Sequence, residues 1–309
     1  MSELHLKKVF QLSGHKAAVY ALAPGPESGT FFSAGGDGWI VRWSLTDRDE
    51  NGELLGQLVA KVDVQVFSLA FIPTTQTIVA GDMNGGVHWI NLQEDRPNRH
   101  LSHHKKGTFN LLLAADDLIS LGGDGVLTRW DALRQNSIES LRLSSQSLRS
   151  VIYLEEEQDF FIGASDNNIY RVSAIDLSLK ETVRAAHDNS VFTLCRFQGH
   201  TVFSGGRDAQ LKQWRNTETL QLTQAQPAHW YTINDLETVP GSDYLLSASR
   251  DKTIRVWNAA KFKLLKTLDA ARDGGHINSV NRLLWLEGTQ QFVSASDDRS
   301  IIVWELEHR

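Results

Sequence analysis

Residues 80–91 read AGDMNGGVHWIN, and the register assigned to them decides how many repeats the chain contains. Five other stretches share one pattern: GGDGWIVRW ending at Trp43, GGDGVLTRW at Trp130, GRDAQLKQW at Trp214, SRDKTIRVW at Trp257 and SDDRSIIVW at Trp304. In each, an aspartate stands six residues before the tryptophan. Six before Trp89 stands Met83, so alignment on that tryptophan fails. Alignment on the aspartate succeeds: Asn84 takes its place, Ile90 takes the anchor's place, and Asn91 then matches Asn258. Side chains alternate across a strand, so Trp89 is expected to face away from the side used by the other anchors. A further copy, SDNNIYRV, keeps Asp166 and ends on Val172.

The anchors are residues 43, 90, 130, 172, 214, 257 and 304, spaced by 40–47 residues. Each unit holds short alternating or apolar runs separated by turn residues. In the sixth these are TINDLETV, YLLSAS, TIRVWN and KLLKTLD, punctuated by PGSD, RDK and AAKF. Such runs predict four antiparallel strands with tight connections. Seven four-stranded units at this period predict an all-β fold, a seven-bladed β-propeller forming a single domain over 1–309.

GHINSV…FVSASDDRSIIVW and AHWYTINDL…LLSASRDKTIRVW resemble WD40 repeats, and the resemblance runs through almost the whole chain. Only Trp130–Asp131 keeps the Trp-Asp ending of that family; the other copies end differently. Ring closure follows from counting. Five residues remain after Trp304, too few for a fourth strand, whereas 14 precede His15. The segment LKKVFQLSGH also resembles KLLKTLDAARDGGH at the end of the sixth unit. Residues from about 5 to 12 are therefore expected to be the outer strand of the C-terminal blade, leaving no unpaired gap.

Five units share a histidine ahead of the first strand and a serine four residues before the aspartate. The sets are His15, Ser33, Asp37, Trp43; His104, Ser120, Asp124, Trp130; His187, Ser204, Asp208, Trp214; His229, Ser247, Asp251, Trp257; and His276, Ser294, Asp298, Trp304. In the two units with substituted anchors, Ala80 and Ile162 replace the serine and no matching histidine is present. All-or-none presence points to four residues working as a unit, because a half-satisfied buried polar network costs more than an apolar substitute. Asp accepts from His, His meets the Ser hydroxyl, and Ser accepts the indole N–H. The WD40 resemblance implies the same structural tetrad. Five copies, each tied to a tryptophan and none beside a GxSxG-type elbow, argue against a catalytic triad, and no catalytic residue is expected.

Composition narrows the partners. With 31 basic and 37 acidic residues the net charge is −6, which argues against direct nucleic-acid binding through a large phosphate footprint. Cys195 is the only cysteine and lies in an apolar strand-like run, which suits an inert thiol in a reducing compartment. No segment has the length of a signal peptide's apolar core or of a membrane span. A cytoplasmic, monomeric propeller with no membrane association and no cofactor is expected.

Loops before the first strands and turns between the second and third strands share one face, the top. The WD40 resemblance implies that partners use its rim. There Phe192, Arg207, Trp230, Tyr231 and Arg250 are candidate contacts, with Tyr20 and Trp39 as a second, smaller cluster. Asn110, Asn234 and Asn281, each following the apolar start of a first strand, are expected to approach the channel. HLSHHKKG, residues 100–107, offers histidines but no cysteine or clear carboxylate, so no metal site is expected there. Glu155, Glu156 and Glu157 are expected in an exposed acidic turn underneath. A non-enzymatic scaffold for protein or peptide partners, in a narrower form a reader of acidic or phosphorylated peptides through Arg207 and Arg250, is the function these features suggest. Its alternatives are a small-molecule or metal-dependent propeller enzyme using the channel mouth, and a component of an RNA- or ribosome-assembly complex.

Overall fold

The computed structural model describes residues 4–48, 52, 54–93 and 96–308. These form seven four-stranded antiparallel sheets arranged as blades around a channel. Blade 1 runs through Val19–Pro24, Thr30–Gly35, Trp39–Arg48 and Leu54–Lys61, and blade 2 through Val66–Ile72, Thr77–Asp82, Gly86–Asn91 and Arg99–Ser102. Blades 3 to 6 start at the inner strands Thr108–Ala114, Leu148–Leu154, Val191–Arg196 and Ile233–Thr238. Blade 7 takes Val280–Leu286, Gln291–Ser296 and Ile301–His308 from the C-terminal end and Leu4–Leu12 from the other. That strand pairs antiparallel with Ile301–His308, from Leu4 opposite His308 to Leu12 opposite Ile301, as ring closure required. A short helical turn, Ala270–Asp273, interrupts the strands before blade 7.

Packing explains why the blades need one another. Each blade-to-blade seam carries its own apolar cluster, and the seam between blades 7 and 1 is as full as the rest. There Leu12, Val19, Phe31, Val41 and Trp43 meet Leu286, Val293, Ile301 and Val303. Anchor tryptophans face the preceding blade: Trp257 packs with Phe203 and Leu211 of blade 5, and Trp304 with Leu246 and Val256 of blade 6. Ile90 does the same against Phe32 and Ile40 of blade 1. Trp89, one residue earlier, faces blade 3, where it meets Leu118 and packs edge-on to Trp130. The aspartate-based register is therefore the register of the fold, with Ile78 opposite Ile90 as Leu118 is opposite Trp130.

All five predicted residue quartets are hydrogen-bonded. In blade 6 His229 Nδ1 lies 2.9 Å from Asp251, its Nε2 2.7 Å from Ser247 Oγ, and the Trp257 indole N–H reaches the same Oγ at 2.9 Å. Blades 1, 3, 5 and 7 repeat this, with His–Ser distances of 2.7–2.8 Å. The single serine oxygen accepts from tryptophan while its hydroxyl donates to histidine, which leaves the other ring nitrogen to donate to aspartate. The carboxylate also accepts the backbone N–H after the histidine, at Lys16, Lys105, Asp188, Trp230 and Ile277. This pins the loop and turns the next side chain outward.

Removal of the serine strands two partners at once. Ser247→Ala is expected to lower unfolding free energy by about 1–3 kcal/mol, since the imidazole and the indole lose their shared partner in a buried site. Chemical denaturation of the variant against the parent measures it. The propeller itself should persist, because the apolar seams are untouched.

Candidate functional site

Every inner strand carries a bulge between its first and third residues, so the second residue is pushed out of the ladder toward the axis. From blade 1 to blade 7 these residues are Tyr20, Phe67, Phe109, Arg149, Phe192, Asn234 and Asn281. Together with Arg282 they line a cavity of about 300 Å³ at the channel mouth. The ring has an aromatic arc and a polar arc. Tyr20 meets Phe67 edge-on at 5.6 Å, and Phe67 stacks on Phe109 at 5.5 Å. The Arg149 guanidinium then lies 4.1 Å from the Phe109 ring centre and 5.2 Å from that of Phe192. On the other side Asn234 donates to the Val280 carbonyl and Asn281 to that of Val19, each lacing its blade to the next.

Arg149 is the outlier of this ring. Its Nε donates to Ser165 Oγ at 2.8 Å, and no carboxylate pairs with it among the described residues. Burial, then the charge of Arg207, lowers its pKa from the ordinary arginine value. A cation held between two rings and beside a second cation favours an incoming anionic group.

Several sequence expectations are revised by this geometry. Phe192 and Tyr20 line the mouth, but Tyr20 and Trp39 do not form a cluster. Tyr20 faces Phe67, whereas Trp39 packs into the seam with blade 7 under the Lys16 ammonium. Arg207 and Arg250 are exposed in turns between second and third strands, and Trp230 and Tyr231 are 83% and 61% exposed on the rim. Asn110 is not equivalent to Asn234 and Asn281: the bulge places Phe109 at the mouth and Asn110 one step down the channel. Phe67, Phe109 and Arg149 join Asn234 and Asn281 at the mouth, and their mark in the sequence is their place as second residue of an inner strand. The Glu155–Glu157 turn is exposed at Glu155 and Glu156 as expected, and two of its carboxylates are paired. Glu156 pairs with Arg196 at 3.0 Å, and Glu157 takes His200 and Asn216, each at 3.1 Å.

Below the mouth, Asp235 and Arg282 approach to 3.6 Å, and Asp235 also accepts the Leu283 N–H at 2.8 Å. Burial raises the pKa of Asp235 and pushes Glu237 up to about 8, with the neighbouring Asp235 charge adding to the effect. Cys195 is buried and its thiol is shifted far upward by desolvation, which keeps it unreactive.

The two blades without quartets tie their turns differently. In blade 4 Asp166 accepts from the Ser144 hydroxyl and from Tyr170. In blade 2 the carboxylate is Asp82, and His88 lies 2.7 Å from it. Tyr170 stands opposite Ile162 and His88 opposite Ala80, so the residue across from the missing serine supplies the donor in both. His100, from the HLSHHKKG stretch, stacks on His88 at 4.3 Å. A carboxylate therefore does accompany a histidine of that stretch, contrary to expectation; it comes from another strand. His104 and His103 are committed elsewhere, to Asp124 and Ser120 and to Thr128.

The family model described as WD domain, G-beta repeat matches residues 6–44, 220–258 and 262–305. Each match begins on an outer strand and ends just after an anchor tryptophan, one strand out of phase with the blade. The β-propeller domain of Doa1 superposes with a TM-score of 0.84 over 98% of this chain and 97% of that one, at 16% identity. Kinesin-like protein KIF21B of Homo sapiens is 30% identical over 285 residues, covering 90% of this chain and 16% of that protein. Cilia- and flagella-associated protein 52 of Mus musculus is 23% identical over 214 residues, 67% of this chain and 34% of the relative. The chain thus spans about a third or less of the length of these curated relatives.

The raised Glu237 pKa has a definite sign. A carboxyl protonated in the fold but ionised when unfolded contributes stability below its unfolded value near 4.5, and loses it as pH rises toward 8. Glu237→Gln should therefore match the parent near pH 4.5 and exceed it at pH 9 by about 1–3 kcal/mol. Denaturation curves at the two pH values provide the check.

Proposed function

From a chain that is a WD40-repeat propeller, we infer a protein-interaction platform whose main contact surface is the upper channel mouth. The observation that carries this is the convergence of seven bulge residues on one cavity, with Arg149 held between Phe109 and Phe192 and lacking an acidic partner among the described residues. Rigid aromatic rings and an arginine are the side chains that anchor interfaces. The partner is a protein or peptide segment presenting an acidic side chain flanked by apolar residues: the carboxylate meets Arg149, and its neighbours rest on Phe67 and Phe109. Arg207 and Arg250 extend the positive field across the rim, and Trp230 and Tyr231 enlarge the apolar contact.

Supporting the platform reading, the relatives named as kinesin-like or as cilia- and flagella-associated match over only a part of their length, the pattern of an interaction module within a longer chain. No helix of the described residues is long and apolar enough to cross a membrane.

The test is a quantitative pull-down from lysate of the source cells with three proteins of equal melting temperature: parent, Phe109→Ala with Arg149→Ala, and Trp230→Ala with Arg250→Glu. Partners should be lost with the first double variant and weakened at least about tenfold with the second if both surfaces are engaged. Undiminished capture by the Phe109/Arg149 variant overturns the mouth assignment.

A further inference from the structure

Blade 2 has lost the serine, histidine and tryptophan of its neighbours, yet it holds a buried carboxylate facing two imidazoles. Asp82 ends the strand Thr77–Asp82 and is 3% exposed. Its Oδ1 is taken by the Asn84 and Gly86 N–H groups, at 2.8 and 2.9 Å. Its Oδ2 is turned toward His88 Nε2 at 2.7 Å. His88 and His100 stand directly opposite on antiparallel strands, with rings 4.3 Å apart and 19° from parallel. One ligand atom from each of Asp82, His88 and His100 lies within 4.8 Å of the other two.

A second observation concerns Gly86. In blades 6 and 7 the matching positions are Thr253 and Ser300, whose hydroxyls bond to the turn aspartate at 2.6 Å. In blade 2 that place has no side chain. A Cβ on Gly86 would stand 2.2 Å from Asp82 Oδ2 and 2.7 Å from His100 Nε2, so any other residue would fill the space where these atoms converge.

We propose that Asp82, His88 and His100 form a binding site for a divalent first-row transition metal of the Zn²⁺ type. Two imidazoles and one carboxylate are a borderline donor set that suits such an ion, and three protein ligands leave a position for water. Tetrahedral bonds of about 2.0–2.2 Å set ligand atoms about 3.3 Å apart, so the His88–Asp82 contact opens by about 0.6 Å as the metal replaces the shared proton. His100 is exposed and can rotate to complete the set, and it gives the ion its route in. The site is independent of the channel mouth, since none of its residues lines that cavity.

Untagged chain, stripped with chelator, is titrated with ZnCl₂ by calorimetry and with CoCl₂ by visible absorption. The expected result is one equivalent bound, with the intense d–d bands of four-coordinate Co²⁺, and affinity reduced at least about tenfold in His100→Ala. His100 is a surface residue, so this variant should retain its near-ultraviolet circular dichroism. His200→Ala, which removes an exposed histidine elsewhere, should bind as the parent does. The proposal fails if the parent takes up no stoichiometric metal. It also fails if His100→Ala and His200→Ala bind equally to the parent, or if Co²⁺ shows only the weak bands of a six-coordinate aquo ion.

Discussion

Ring closure is the constraint on which this molecule depends. A blade buries apolar residues on both faces, and each face finds its cover only on a neighbour. Six seams lie between blades that follow one another in sequence. The seventh needs both ends of the described chain, with Leu4–Leu12 lying along Ile301–His308 and Leu6 and Leu306 buried in the seam with blade 6. Without that strand the outer edge of blade 7 would be an open row of backbone donors and acceptors. Closure also sets the channel: seven inner strands brought to one axis place seven bulge residues around one opening.

The hydrogen-bonded quartets serve a different end. They add modestly to stability, but they fix the top loops by tying the aspartate to a backbone N–H of the loop after the histidine and to one of its own turn. Trp230 and Ile277 are exposed because the N–H of each is held by the carboxylate below it. Where a quartet is absent, the need to satisfy the turn remains. Blade 4 meets it with a tyrosine and a serine, and blade 2 with a histidine. Burial keeps His104 neutral, at about 4, against the pull of Asp124. In blade 2 the His88 imidazole is nearer to solvent while Asp82 is buried, and a second imidazole lies within reach.

Much of the architecture was legible. The six-residue spacing to the anchor, kept from an aspartate in six units and from Asn84 in the other, dictated blade number and register, including the reversed face of Trp89. The quartets were legible because their residue types occur together or not at all. The mouth is only half legible: the sequence marks Tyr20, Phe192, Asn234 and Asn281, but the asparagine pattern points to Asn110, one residue past Phe109. Alternation is the rule a sequence reader applies to a strand, and a bulge breaks it. Phe109 and Arg149 were hidden by that irregularity.

By itself, the sequence determined which residues face the seams and that the chain closes on itself, because period-two patterning and repeat length are local properties written into consecutive residues. Tertiary structure alone decided what meets across blades and strands. It set Arg149 between rings from blades 3 and 5, placed Glu237 near Asp235 along the channel, and brought Asp82 to His88 and His100 over the bare backbone of Gly86. Those encounters depend on bulges, on strand pairing at a distance and on the angle between neighbouring sheets, none of which a linear pattern records.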